Sequence, residues 1–169
     1  MGEDFDNSLT EDDRRFMRLA IELASENIDN GGGPYGAVIV RNGEMIAAAG
    51  NSVLRDNDPT AHAEMNAIRF ACRLIGAIKL DGCVIYCSSE PCLMCLSALY
   101  WAGVSRIYYA NISSDATHIN FIDEFIYKEI DKPQSKRHIP CIHIEDSSAD
   151  DLFKKWATIE DKIEYRFNK

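Results

Sequence analysis

His62-Ala63-Glu64 and Pro91-Cys92-Leu93-Met94-Cys95 are the two stretches that any fold of this chain has to reconcile. One imidazole and two thiols are good ligands for a borderline-soft cation, while a carboxylate two positions from the imidazole need not bind the metal at all. Three ligands is the count of a catalytic zinc, which leaves its fourth position to water or substrate; a structural zinc is closed by four. If His62, Cys92 and Cys95 hold one Zn²⁺, two segments far apart in the chain must meet, and the fold is built around that meeting.

Each segment suits the task locally. Pro91 fits the first turn of a helix, where its missing N–H would have had no partner, so Cys92 and Cys95 are expected one turn apart on a single helix face. The positive end of that helix and a bound cation both favour thiolate over thiol. Two thiolates and a neutral imidazole balance the charge of Zn²⁺. Glu64 is then the candidate general base, close enough to handle a proton without joining the metal. Other readings exist for the fragments. Cys92 and Cys95 alone could form a redox pair, and a closed site could use Cys83, Cys87, Cys92 and Cys95. Against the second, Cys83-Val84-Ile85-Tyr86-Cys87 is an apolar run that reads as a buried strand, in which cysteine serves as a small hydrophobe.

A chain of 169 residues with 46% hydrophobic and 27% charged residues can bury one core, so one domain spanning 1–169 is expected. The net charge of −9 and a sequence pI of about 4.9 argue against a phosphate-binding surface, so nucleic acid is an unlikely partner and a small molecule the expected substrate. Six cysteines are too sparse here for a secreted disulfide framework and point to reducing cytoplasm. The start, Met1-Gly2-Glu3-Asp4-Phe5-Asp6, is acidic and lacks the apolar centre of a signal peptide, and no run reaches membrane-spanning length.

The elements follow from periodicity and punctuation. Thr10 and Asp13 form a capping-box pattern ahead of Phe16, Leu19, Ala20, Leu23 and Ala24 at helical spacing, and Gly31-Gly32-Gly33-Pro34 ends that helix. Ala37 to Val40 and Met45 to Ala49 flank Asn42-Gly43 as an antiparallel hairpin. A helix is expected from His62 to Leu74, a strand at Val84 to Ser88, a helix from Cys92 to Trp101 and a strand at Val104 to Ala110. Residues 111–120 read as a loop, Phe121 to Ile130 as a helix, Cys141 to Ile144 as a strand and Ala149 to Tyr165 as a terminal helix. The class is α/β: three layers, α-β-α, around a mixed five-stranded sheet.

Four segments together resemble the guanine deaminases of the cytidine-deaminase-like superfamily over nearly the whole chain. They are Gly33-Pro34-Tyr35-Gly36-Ala37-Val38-Ile39-Val40, Asn57-Asp58-Pro59-Thr60-Ala61-His62-Ala63-Glu64, Glu90-Pro91-Cys92-Leu93-Met94-Cys95-Leu96 and Phe125-Ile126-Tyr127-Lys128-Glu129-Ile130-Asp131-Lys132-Pro133. The second and third carry the signature shared by zinc deaminases in general; the fourth is the narrower one. The resemblance implies hydrolytic conversion of guanine to xanthine and ammonia, with one zinc per subunit on His62, Cys92 and Cys95 and with Glu64 moving the proton. It also implies purine contacts from Asn51, the Ala63 backbone N–H, Asp115 and Tyr35, which stands where the family usually has Phe. It implies a homodimer in which the segment 145–169 is exchanged and Tyr165 closes the neighbouring pocket, although four residues extend past Tyr165 here.

Bland roles stay open beside these. Asn51 could cap a turn, Asp115 could be a solvated loop charge, and Tyr165 could be a packing contact of a terminal helix. Trp101 reads as core or subunit interface, and His118, His138 and His143 as structural or surface residues. Among enzymes, related deaminases acting on guanosine, cytosine, another amino-heterocycle or adenosine in tRNA are the alternatives; outside them, a non-catalytic zinc module.

Overall fold

The computed structural model describes residues 8–112, 123–146 and 148–163. They belong to two compact units, Met1–Ile122 and Asp123–Lys169.

The first unit starts with α1 (Glu11–Asp29), opened by the expected capping box: Thr10 Oγ1 accepts from the Asp13 N–H, and Asp13 accepts from the Thr10 N–H. Its buried positions, Phe16, Ala20, Ala24 and Asn27, form one stripe at helical spacing. The hairpin β1 (Gly36–Arg41) and β2 (Glu44–Gly50) turns at Asn42-Gly43, with φ of 53° and 79°. A two-residue type I′ turn needs positive φ at both of these positions, and Asn-Gly adopts it at little cost. A four-residue helix that the pattern did not announce, α2 (Val53–Asp56), precedes α3 (Ala63–Ile75). Strand β3 (Cys83–Ser89), helix α4 (Leu93–Ala102) and strand β4 (Arg106–Asn111) complete the unit.

The sheet order is β2-β1-β3-β4; β1 is antiparallel to both neighbours, whereas β3 and β4 run parallel and are joined through α4. Alternation along β1 divides the core. Ala37 and Ile39 face one side with Ala63, Ala67 and Ala71 of α3 and Leu99 and Ala102 of α4, while Val38 and Val40 face the other with Phe16 and Ala20 of α1. The result is the expected three-layer mixed α/β arrangement. The small alanines of α3 let that helix lie close to the sheet, which sets where its N-terminus ends up.

Three expectations are corrected. The sheet has four strands among the described residues, because Cys141 to Ile144 forms none; Ile142 and Ile144 are each 81% exposed. An apolar run is only a strand once it finds a ladder partner, and periodicity cannot supply one. In the second unit, α5 begins at Glu124 (Glu124–Ile130), and the terminal helix α6 spans Ser148–Ala157, well short of Tyr165. The β-branched pair Thr158-Ile159, then Glu160 and Asp161 at the negative helix end, oppose further turns. Phe125 meets His138 edge to face there, a structural role for that histidine. Asp115, His118 and Tyr165 lie outside the described residues.

A polar contact joins α1 to the sheet. Tyr86 Oη donates to Asp13 Oδ1 at 2.6 Å, while Asp13 Oδ2 serves the capping box. Burial pushes the Asp13 carboxyl up, but the hydrogen bonds from Thr10 and Tyr86 and the charge of Arg106 outweigh it and leave the group below 3.8. A carboxyl with a depressed folded pKa contributes stability above its unfolded pKa, and that contribution is lost as pH falls through the folded value. Tyr86→Phe should therefore cost about 1 kcal/mol near pH 7, and the gap to the parent should narrow as pH drops below 3.8. Urea titrations across that range check it; a pH-independent gap would contradict the coupling.

Candidate metal centre and active site

The fold aims two helix N-termini at one point. His62 is the N-cap of α3 and Cys92 the N-cap of α4. Sequence spacing placed Cys92 inside its helix; instead it is in extended conformation just before the first turn, with Pro91 outside, and its carbonyl accepts the first helical bond from the Leu96 N–H. An N-cap side chain naturally folds over the first turn, so Cys92 reaches Cys95 from above the helix end, without needing a shared face. The expected proximity holds for a different local reason.

Cys92 Sγ lies 3.6 Å and Cys95 Sγ 3.5 Å from His62 Nδ1, and the three donor atoms are all within 4.8 Å of one another. A single imidazole nitrogen has one lone pair and cannot serve two thiols well at once. Tetrahedral zinc, with bonds of about 2.3 Å to sulfur and about 2.0–2.1 Å to nitrogen, puts N and S about 3.6 Å apart. The donor set fits such an ion. Among the described residues no other His, Cys, Asp or Glu joins the group. Cys83 and Cys87 are fully buried in β3, as small core residues, which removes the closed four-cysteine reading.

As bare side chains the two sulfurs share one proton. The hydrogen bond from Cys95 pulls Cys92 down to about 4, against the upward push of burial and with help from His62. Cys95 keeps the proton and is pushed up by that same bond, by burial and by the charges of Glu64 and Cys92. The hydrogen bond to the Cys92 thiolate raises His62. A bound cation would take the place of that proton, and the positive ends of α3 and α4 would assist both thiolates.

Glu64 sits in the first turn of α3 and is 7% exposed. Burial pushes its carboxyl up and the negative charge of Cys92 adds to this, while its own backbone N–H, His62 and a hydrogen bond from Cys95 work the other way; the net direction is up. Burial beside the metal donors is the arrangement that moves a carboxylate toward general acid–base work.

The purine-contact candidates divide. Tyr35 and Asn51 come together: the Asn51 N–H donates to the Tyr35 carbonyl at 3.1 Å, and the Tyr35 ring packs on the core that contains Ala63. Asn51 also has its bland role, with Oδ1 accepting the Val53 N–H at 3.2 Å to start α2. Ala63 lies in the first turn of α3, whose amides have no partner within the helix. The Ser52 N–H donates to the Ala61 carbonyl at 2.9 Å, pinning the end of β2 one residue before His62.

Two asparagines that sequence reasoning passed over hold this arrangement. Asn66 Nδ2 donates to the Gly50 carbonyl at 3.1 Å and to Ser52 Oγ at 3.0 Å. Asn27 Nδ2 donates to the carbonyls of Gly33 at 2.8 Å and Asn51 at 2.7 Å. A signal for Asn27 did exist: it continues the buried stripe Phe16, Ala20, Ala24 as the one polar member. Trp101 is 53% exposed on α4 and makes no part of the donor group.

Comparison with known proteins agrees with this geometry. The family described as the cytidine and deoxycytidylate deaminase zinc-binding region matches residues 10–111. Guanine deaminase of Bacillus subtilis (strain 168) is 48% identical over 151 residues, covering 89% of this chain and 97% of that protein. The X-ray structure of guanine deaminase from Bacillus subtilis superposes with a TM-score of 0.89 at 45% identity, covering 94% of this chain and all of that one. A tRNA-specific adenosine deaminase of Aquifex aeolicus is 37% identical over 118 residues, 70% of this chain and 76% of that protein. With its donors gathered at two helix ends inside the matched region, the chain belongs to the cytidine and deoxycytidylate deaminase family of zinc-binding enzymes.

Proposed function

We propose that this protein is a guanine deaminase, converting guanine and water to xanthine and ammonia. The observation that carries the reading is the likeness to the Bacillus subtilis guanine deaminase over nearly the whole of both chains, together with a donor group of three among the described residues. Bound by His62, Cys92 and Cys95, zinc would make a water molecule acidic enough to react near neutral pH and hold it beside the substrate.

The rest is the work of the chain's own groups. Glu64, buried and raised in pKa, accepts a proton from the water and passes it to ring N3 of guanine, which makes the neighbouring C2 electrophilic. The hydroxide left from that water adds to C2 and the carbon becomes tetrahedral; Glu64 then takes the second proton from the new C2 hydroxyl and delivers it to the exocyclic amine, so that the C2–N bond breaks, ammonia leaves and the C2 oxygen becomes the carbonyl of xanthine. Asn51 and the Ala63 N–H orient the base by hydrogen bonds, and the Tyr35 ring packs against it. Asp115 completes the pocket by accepting from the N–H-rich edge of guanine. The net charge of −9 favours a free base over a polyanionic RNA substrate.

Residues 1–169 form one deaminase domain in this reading, working as a homodimer that exchanges the segment 145–169 and brings Tyr165 to the neighbouring pocket. Exposed apolar residues in the described part of that segment, Leu152 at 69% and Phe153 at 77%, support a partner there. None of the six cysteines is paired in a disulfide, which supports a cytoplasmic setting. No helix among the described residues is long and apolar enough to cross a membrane.

Ammonia release across guanine, guanosine, cytosine, adenine and an adenosine-bearing tRNA stem-loop tests the substrate: turnover of guanine above the others is expected, and preference for any other member refutes the reading. Glu64→Gln should retain zinc and guanine binding but lose about 10²- to 10⁴-fold in kcat, and near-parental turnover would remove Glu64 from its role. A chain ended after Ile144 should lose both dimer and activity in sizing and kinetic assays; an active monomer would end the exchange idea.

A further inference from the structure

We infer that Asn27, on the face of α1 turned to the core, is a positioning residue for substrate binding: its carboxamide fixes the spacing of the two pocket walls that carry Tyr35 and Asn51. One nitrogen makes both bonds, to the carbonyl of Gly33 at 2.8 Å and to that of Asn51 at 2.7 Å. The backbone joins in, since the Asn27 carbonyl accepts the Gly32 N–H at 2.8 Å. The side chain is 8% exposed, so the two bonds are made where their loss is not repaired by water.

The surroundings are built to admit this amide and nothing larger. A Cβ at Gly32 would stand 2.3 Å from Asn27 Nδ2, and one at Gly50 would stand 2.7 Å from Asn27 Oδ1. Two glycines in separate segments are thus kept bare by one side chain. Those segments are the ones that meet at the Asn51 N–H to Tyr35 carbonyl bond, and Asn66 holds the other flank of Gly50 against Ser52. The turn after α1, the end of β2 and the start of α3 form a braced series, with Asn27 bonded to the first two. Asn27 touches neither the donor group nor Glu64, so its loss should weaken substrate binding and leave the chemical step largely alone.

This inference rests on the reading of Tyr35 and Asn51 as purine contacts, and its test separates the two. Asn27→Asp keeps the shape but sets an oxygen against two carbonyls; Asn27→Ser keeps one shorter donor and covers the case in which the first fails to fold. Both should keep parental zinc content, raise KM for guanine about tenfold and change kcat by less than about twofold. In an Asn51→Ala background the same substitution should raise KM by no more than about threefold, because its effect is transmitted through a contact already removed. Amide hydrogen exchange, which needs no substrate, should quicken in 31–36 and 50–53 and stay parental at the starts of α3 and α4. A parental KM, an undiminished effect in the Asn51→Ala background, or unchanged exchange in those two segments overturns the role of Asn27. If the parent turns over a different base, the functional reading fails instead, and the same KM comparison on that base, with the exchange pattern, still decides Asn27.

Discussion

Two sulfurs at 3.6 and 3.5 Å from one imidazole nitrogen set the demands that the remaining structure meets. Three donors can hold that geometry only if the starts of α3 and α4 stay opposite each other, and neither helix could ensure this alone. The sheet does so. Ala63, Ala67 and Ala71 bring α3 close to β1 and β2, while Leu99 and Ala102 seat α4 on the same face, so both helix starts arrive from one layer. The same arrangement turns two positive helix ends toward the thiolates, and burial around the site strengthens that attraction.

Glu64 shows why the position of the site matters as much as its donors. On an exposed turn this carboxyl would stay ionised near neutral pH and exchange protons inefficiently. At 7% exposure and beside Cys92 it is shifted toward the range in which a general base and acid can be the same group. The polar braces at the other rim have a complementary task. Asn27, Ser52 and Asn66 tie backbone carbonyls and amides of neighbouring segments together, and in doing so they hold the Tyr35 and Asn51 segments in place.

What could be read in the amino-acid order was whatever depends on residues close in sequence. The capping box at Thr10 and the Asn42-Gly43 turn rest on short-range chemistry and stand as expected. The misses have local and long-range causes. Cys141 to Ile144 had a strand's composition without a ladder to join, and α6 stopped where Thr158 and Ile159 made further turns unfavourable. Cys92 was placed near Cys95 for the wrong reason, since capping and not helix face brings it there. Asn27 escaped notice because its value lies in two carbonyls, one of them 24 positions away.

X-ray absorption at the zinc edge of the purified full-length protein tests the three-donor centre most directly. One zinc per chain is expected, with two sulfurs at about 2.3 Å and two nitrogen or oxygen neighbours at about 2.0–2.1 Å, one of them exchangeable with solvent. A third or fourth sulfur in the shell, four ligands all supplied by the protein, or a chain purified without metal would contradict it.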